Sequence, residues 1–123
     1  MIRQTERLTL RRMVEGDEAF LVDLLNQPSF LRYIGDKKVR DEADAARYLR
    51  EGPQASYDRH GFGLYLVEER TTGTPLGICG LVRREGLDHP DLGYAFLPEA
   101  EGKGYALEAA RGTLDHARDL GIP

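Results

Sequence analysis

The sequence predicts an α/β domain, α+β by strict usage, with a mostly antiparallel sheet flanked by helices. Three observations lead there. Stretches of alternating hydrophobicity, fit for pleated strands, take turns with stretches whose apolar residues recur at helical spacing. Two of the strand stretches, at about 61–69 and 75–84, are joined by a short polar turn, which makes them a hairpin. A further strand, 92–97, runs through a glycine loop directly into a helix. The order is therefore strand, helix, helix, three strands, helix.

Each element has its own warrant. Over residues 6–13, Leu8, Leu10 and Arg12 alternate with Arg7, Thr9 and Arg11, which predicts a first strand. Gly16-Asp17 begins a helix that sets Phe20, Leu21, Leu24 and Leu25 on one face. Asp17 has the short acceptor side chain of an N-cap, and Pro28 marks the end of the helix. Ser29 to Arg40 mixes Phe30 and Tyr33 with Gly35 and the basic Lys37, Lys38 and Arg40, and reads as a loop. A second helix starts near Asp41, uses Ala43, Ala46 and Leu49 as its inner stripe, and is interrupted near Gly52-Pro53. The hairpin turn is Thr71-Thr72-Gly73-Thr74. In the strand that follows, Leu92, Tyr94 and Phe96 alternate with Gly93, Ala95 and Leu97, and Pro98, without a ladder donor, closes it. The last helix, about 103–120, buries Ala106, Ala109, Ala110, Thr113 and Ala117. Its outer face carries Glu108, Arg111, Asp115 and Arg118 at ion-pair spacing, and Gly121 stops it.

Composition sets bounds. With 123 residues, 41% of them hydrophobic, the chain is one domain, 1–123, with a modest core. A net charge of -4 argues against a nucleic-acid binder working by phosphate neutralisation, and suits a cationic or amine substrate. The single Cys79 allows no internal disulfide and reads as a small buried hydrophobe. The sequence shows no signal peptide and no apolar run of membrane-spanning length, so the expected location is the cytoplasm, with no membrane partner. The three histidines lack metal-ligand spacing, and no metal is expected.

The chemistry concentrates where Gly102 and Gly104 bracket Lys103 ahead of the last helix. A helix start has unpaired N–H groups and the positive end of the peptide dipole, and glycines let an anion come close to both. Two readings fit: a tight strand-to-helix turn, or a phosphate cradle. Other phosphate loops fail on spacing. A Walker loop needs Ser or Thr after the lysine, where Gly104 stands, and Ala106-Leu107 occupies the region of the dinucleotide fingerprint's third glycine.

The segment Glu99 to Gly104 resembles the acyl-CoA pyrophosphate loop of the GNAT acetyltransferases, whose pattern is Gln/Arg-x-x-Gly-x-Gly/Ala. It matches at both glycines and departs at Glu99. The resemblance spans nearly the whole chain. Thr5 to Arg12, Gly61-Phe62-Gly63, Gly77 to Leu81, Leu92-Gly93-Tyr94 and Gly102 to Ala109 are similar, in order, to the RimJ/RimL-like branch. It implies an acetyl-CoA-dependent N-acetyltransferase acting on a primary amine, either a protein N-terminus or a small molecule. The amine would attack the thioester directly, with acetyl-CoA as co-substrate. It further implies that Ala95, Phe96 and Leu97 meet the pantetheine arm, and that Glu101, Gly102, Lys103, Gly104, Tyr105 and Ala106 take the pyrophosphate. The family pattern continues beyond Pro123 with a fifth strand, a helix and further strands, and places its usual general-acid tyrosine there. The expectation is therefore a domain truncated after its fourth strand and the following helix. Strand 92–97 would be left with an open edge through which the chain could form a homodimer.

Deprotonating an ammonium acceptor needs a base. Glu68, His89 and Asp91 are candidates; Asp91 leads because it adjoins the donor strand, and ordinary surface polarity is the alternative for all three. Tyr94 reads as core. Phe30, Tyr33, Tyr57 and Phe62 either line a substrate mouth or belong to the core. Two other functions remain open on the sequence: a non-catalytic acyl-CoA-binding or interaction module, and a generic phosphate-ligand domain.

Overall fold

The computed structural model describes residues 2–83 and 90–122, without the Tyr33 side chain. His89 and the end of the strand expected at residue 84 lie outside the described residues. The first predicted strand is instead a hairpin, β1 (Arg3–Gln4) and β2 (Leu8–Arg11). The chain turns because Thr5 N–H donates to Leu8 O at 2.9 Å, while Leu8 N–H returns a bond to the Thr5 hydroxyl at 3.1 Å. Four helices follow: α1 (Glu18–Leu25), α2 (Pro28–Tyr33), α3 (Glu42–Leu49) and α4 (Ala55–His60). The loop expected over 29–40 is thus helical in its first part. Pro28 opens α2 as well as bounding α1, since a proline at the first helical position gives up only an N–H that has no partner there.

Helix α3 starts near Asp41 as expected, and Asp41 caps it, accepting the Asp44 N–H at 2.8 Å. Asp17 makes no such bond at α1; its carboxylate is held by the Arg11 guanidinium at 2.9 and 3.0 Å and by the Val14 N–H at 2.8 Å. Around Gly52-Pro53 the backbone widens into a π-helical turn, Arg50–Gln54, and resumes as α4. A proline here removes an interior helical donor, and the wider turn absorbs the loss.

Strands β3 (Leu64–Glu69), β4 (Pro75–Val82) and β5 (Asp91–Phe96) complete a five-stranded sheet among the described residues. It runs in chain order, with every neighbour antiparallel. Helix α5 (Tyr105–Asp119) follows a 3-10 turn at Pro98–Ala100. The pleat sorts the core into two layers. Leu66 and Ile78 face α1, α2 and α3 and pack with Leu21, Leu24, Leu25, Phe30 and Leu49. Tyr65, Val67, Cys79 and Phe96 face α5 with Leu8, Leu10 and Ala109. Cys79 is a small buried hydrophobe here, its Sγ 3.3 Å from Thr113 Oγ1, and burial pushes its thiol pKa up to about 11.

Strand β5 ends the sheet order, so among the described residues its far edge has no partner strand. Gly93 sits opposite Gly80 in regular register, and the ladder irregularity falls at Val67/Glu68. Among the described residues, no helix is long and apolar enough to cross a membrane.

Candidate active site

The start of α5 is left open by glycine and held in place by its neighbours. Gly102 (φ +77°) and Gly104 (φ +78°) both occupy the left-handed region, and the space where a Gly102 Cβ would stand is empty to 4 Å. Gly104 is the N-cap and has no side chain to fold back on the helix. The first helical turn closes with Glu108 N–H on Gly104 O at 3.1 Å, so the amides of Tyr105, Ala106 and Leu107 precede any intrahelical partner. Arg7, in the β1–β2 turn, donates from Nη1 to Lys103 O at 2.8 Å and lies 4.6 Å from the centroid of the Tyr105 ring.

Glu108 completes the tether. It accepts the Arg7 N–H at 2.8 Å, Arg7 Nε at 2.7 Å, and the Thr5 hydroxyl. Burial alone would raise the Glu108 pKa, but these donors and the Arg7 charge outweigh it and hold the carboxyl below its usual range. Glu108 is therefore not part of a solvated ion-pair face on α5: it turns inward to the hairpin. The expected outer pairing survives between Arg118 and Asp115, at 3.4 Å.

The edge of β5 offers backbone groups to the same space. Leu97 donates its N–H inward to Leu76 O at 2.9 Å. Antiparallel ladders alternate, so Ala95 and Gly93 also turn their backbone polar groups toward β4, while those of Tyr94 and Phe96 face the open edge. A cavity of ≈ 330 Å³ joins this edge to the glycine loop, with α2 contributing Ser29, Phe30 and Ile34 to its wall. Tyr94 borders it and is 53% exposed, against its reading as core.

The structure brings together Ala95, Phe96, Glu101, Gly102, Gly104, Tyr105 and Ala106, all lining that cavity. Leu97 instead packs against the core beneath the α1–α3 layer. Lys103 is exposed on the loop, outside the lining. Glu68 lies on β3, two strands away, with its carboxylate 3.0 Å from Arg11 Nε. Asp91 is exposed at the head of β5, on the side of the pleat shared by Gly93 and Ala95, about 13 Å along the strand from Ala95. Tyr57 is core: its hydroxyl donates to Leu64 O and accepts the Met13 N–H at 3.0 Å. Phe62 packs in a small cluster with Leu81 and Ala117, whereas Phe30 both belongs to the core and touches the cavity. Sequence reasoning missed Arg7, Ser29 and Ile34. Proline at the first position of a helix, with Phe30 and Ile34 four apart, was the available signal for the last two.

The acetyltransferase (GNAT) domain family matches residues 7–123. The chain belongs to the GNAT family. Protein YkkB of Bacillus subtilis (strain 168) is 35% identical over 115 residues, covering 91% of this chain and 65% of YkkB. The GNAT chain thus spans 65% of the length of that curated relative. The acetyltransferase of Agrobacterium tumefaciens str. C58 superposes with a TM-score of 0.80 at 27% identity, over 98% of this chain and 69% of that one. Spermidine N-acetyltransferase from Vibrio cholerae, solved with CoA and spermine, shares the fold, with a TM-score of 0.76 at 19% identity over 96% of this chain and 68% of its own. Among the described residues of this GNAT domain, no group of three or more His, Cys, Asp or Glu could hold a metal ion.

Proposed function

We propose that this GNAT domain is an acetyl-CoA-dependent N-acetyltransferase of the RimJ/RimL-like branch, acting on a primary amine in the cytoplasm. One observation carries the reading: the outward backbone of β5 and the uncapped start of α5 border a single cavity. The residues present suit an acyl-CoA. An open glycine cradle fits a pyrophosphate, and an unpaired strand edge fits an arm with amide groups of its own. Acetyl-CoA supplies an acyl carbon already activated as a thioester.

The amides from Gly102 to Ala106 hold the pyrophosphate, with Lys103 adding charge at the rim; the Glu101 N–H is taken by Pro98 O at 3.2 Å, so Glu101 lines the cavity without offering its amide. Tyr94 and Phe96 pair with the pantetheine amides through their outward N–H and C=O groups, while Phe30 and Ile34 keep water from that side. An N–H at this edge is also placed to donate to the thioester oxygen as negative charge develops there. Asp91 receives the proton of the incoming ammonium through a chain of waters along this side of the pleat, since it lies about 13 Å from Ala95 on the same face of the strand. Glu68, on β3 two strands from this edge, with its carboxylate 3.0 Å from Arg11 Nε, takes no part in this step.

The test has two stages. Acetyl-CoA and desulfo-CoA should raise the melting temperature of the chain, and ATP or NAD should not match them. Thiol release with a panel of primary amines should then show turnover, and Asp91→Asn should lower it without weakening acetyl-CoA binding. Binding with no release for any amine would make this a non-catalytic acyl-CoA module. Equal stabilisation by ATP would reduce it to a generic phosphate site.

A further inference from the structure

We infer that the acceptor is a small amine carrying a carboxylate, recognised on the α2–α3 side of the sheet by Lys37, Arg59 and Tyr48. This rests on the acetyl-transfer reading above and specifies its substrate class. The cavity along β5 does not end at Ala95. It shares Phe30, Ile34, Tyr94 and Ala95 with a second cavity of ≈ 310 Å³, which continues beside Gly93. That cavity in turn shares Lys37, Tyr48, Leu64 and Val82 with a third, of ≈ 290 Å³, reaching α4. Gly93 keeps the passage open: a Cβ there would stand 3.3 Å from Val82 Cγ2 and 3.5 Å from Leu64 Cδ2. Volumes near 300 Å³ are at the small end of the range for small-molecule sites.

The lining has a sign. Among the described residues, Lys37 and Arg59 line the second and third cavities, where Glu51 is the single carboxylate and His60 lies beside them. The protein as a whole carries a formal charge of -4, so this cationic wall runs against the molecule's own field. Lys37 and Arg59 are exposed at the ends of flexible side chains and can reach a ligand. Tyr48, half-buried where the second and third cavities meet, is held neutral because burial raises its hydroxyl pKa. Its O–H makes no hydrogen bond to a described residue, and is available to a carboxylate as a donor. An amine at the thioester end with a carboxylate toward Lys37 satisfies this arrangement. A polyamine would set its second cation against Lys37 and Arg59.

Three ligands of nearly equal size isolate the charge: 4-aminobutyrate, 4-aminobutanamide and putrescine. Each is titrated into the isotope-labelled chain while amide shifts at Lys37, Tyr48 and Gly63 are followed, and each is assayed for acetylation with acetyl-CoA. The expected result is binding of 4-aminobutyrate at least tenfold tighter than putrescine, with the amide between them and the gap closing as salt is added. Lys37→Glu and Arg59→Glu should each shrink or reverse the order. Putrescine binding as tightly as 4-aminobutyrate, or no shift at these residues with any of the three, would overturn the inference. Carboxylate-selective binding without acetyl product would support the site and remove the transfer reading. Acetyl transfer favouring putrescine would do the opposite.

Discussion

At Gly104 a single backbone angle, φ +78°, sets both the direction of α5 and the space in front of its amides. Valine there would be strained by roughly 1–3 kcal/mol, and its Cβ would stand 3.3 Å from Arg7 Nη2, pressing on the side chain that holds Lys103 O in the loop. Gly104→Val is expected to weaken acetyl-CoA binding at least tenfold, about 1.4 kcal/mol, measured by calorimetry on protein shown to be folded. Gly121 provides the control, since it has nearly the same angle, φ +79°, beyond the C-terminal end of α5. Gly121→Val should lower stability by a similar amount and leave acetyl-CoA affinity unchanged. Lys103→Ala should have a smaller effect that fades with salt, because an exposed charge is screened. Cys79 gives a prediction of the opposite kind: buried, with its thiol pushed up to about 11, it should react with thiol reagents only at the rate at which the chain opens. Rapid labelling of native protein would contradict its place beneath α5.

At the scale of elements, α5 depends on the β1–β2 turn. Glu108→Ala removes the acceptor for the Thr5 hydroxyl, the Arg7 N–H and Arg7 Nε together. Loss of such a charged acceptor should destabilise the domain by about 1–3 kcal/mol and loosen the start of α5, seen as a lower urea midpoint and faster amide exchange near residue 105. Further along α5, His116 lies 3.1 Å from the Tyr65 hydroxyl, and burial together with the Arg3 charge lowers its pKa below the ordinary 6.5. Between 6.5 and that lower folded value the unfolded chain binds a proton that the native state does not. Stability should therefore fall as pH drops from 7 through this window, and His116→Gln should flatten the slope between pH 7 and 5. Where an element spans several periods, the sequence made it legible. The run around Phe96 alternates, those around Leu66 and Ile78 are near-continuous apolar stretches bounded by turn residues, and α5 keeps a stripe of small residues from Ala106 to Ala117. Helix α2 escaped because six residues opening on proline have no room for a stripe. Asp17 and Glu108 escaped for a related reason: their partners, Arg11 and Arg7, reach them only once strand and helix have packed, so a local rule placed one as a cap and the other in solvent.

For the whole molecule, the strand that borders the site also ends the sheet. An open β5 edge should let two chains pair, so the 123-residue chain is expected to self-associate in light scattering. Acetyl-CoA should dissociate it by occupying the same edge; a monomer with both sides of β5 protected from exchange would rule out pairing there. The site was legible in the same uneven way as the fold. Gly102-Lys103-Gly104 announced the cradle because a glycine requirement is local, whereas the wall formed by Phe30 and Ile34 depends on how α2 docks against β5. The decisive measurement is amide-shift mapping with acetyl-CoA and, separately, ATP. If β5 and α5 form one acyl-CoA site, acetyl-CoA will shift 94–97 and 101–106 together, and ATP at the same concentration will not perturb 94–97. Shifts confined to 101–106 and equal for both ligands would contradict it.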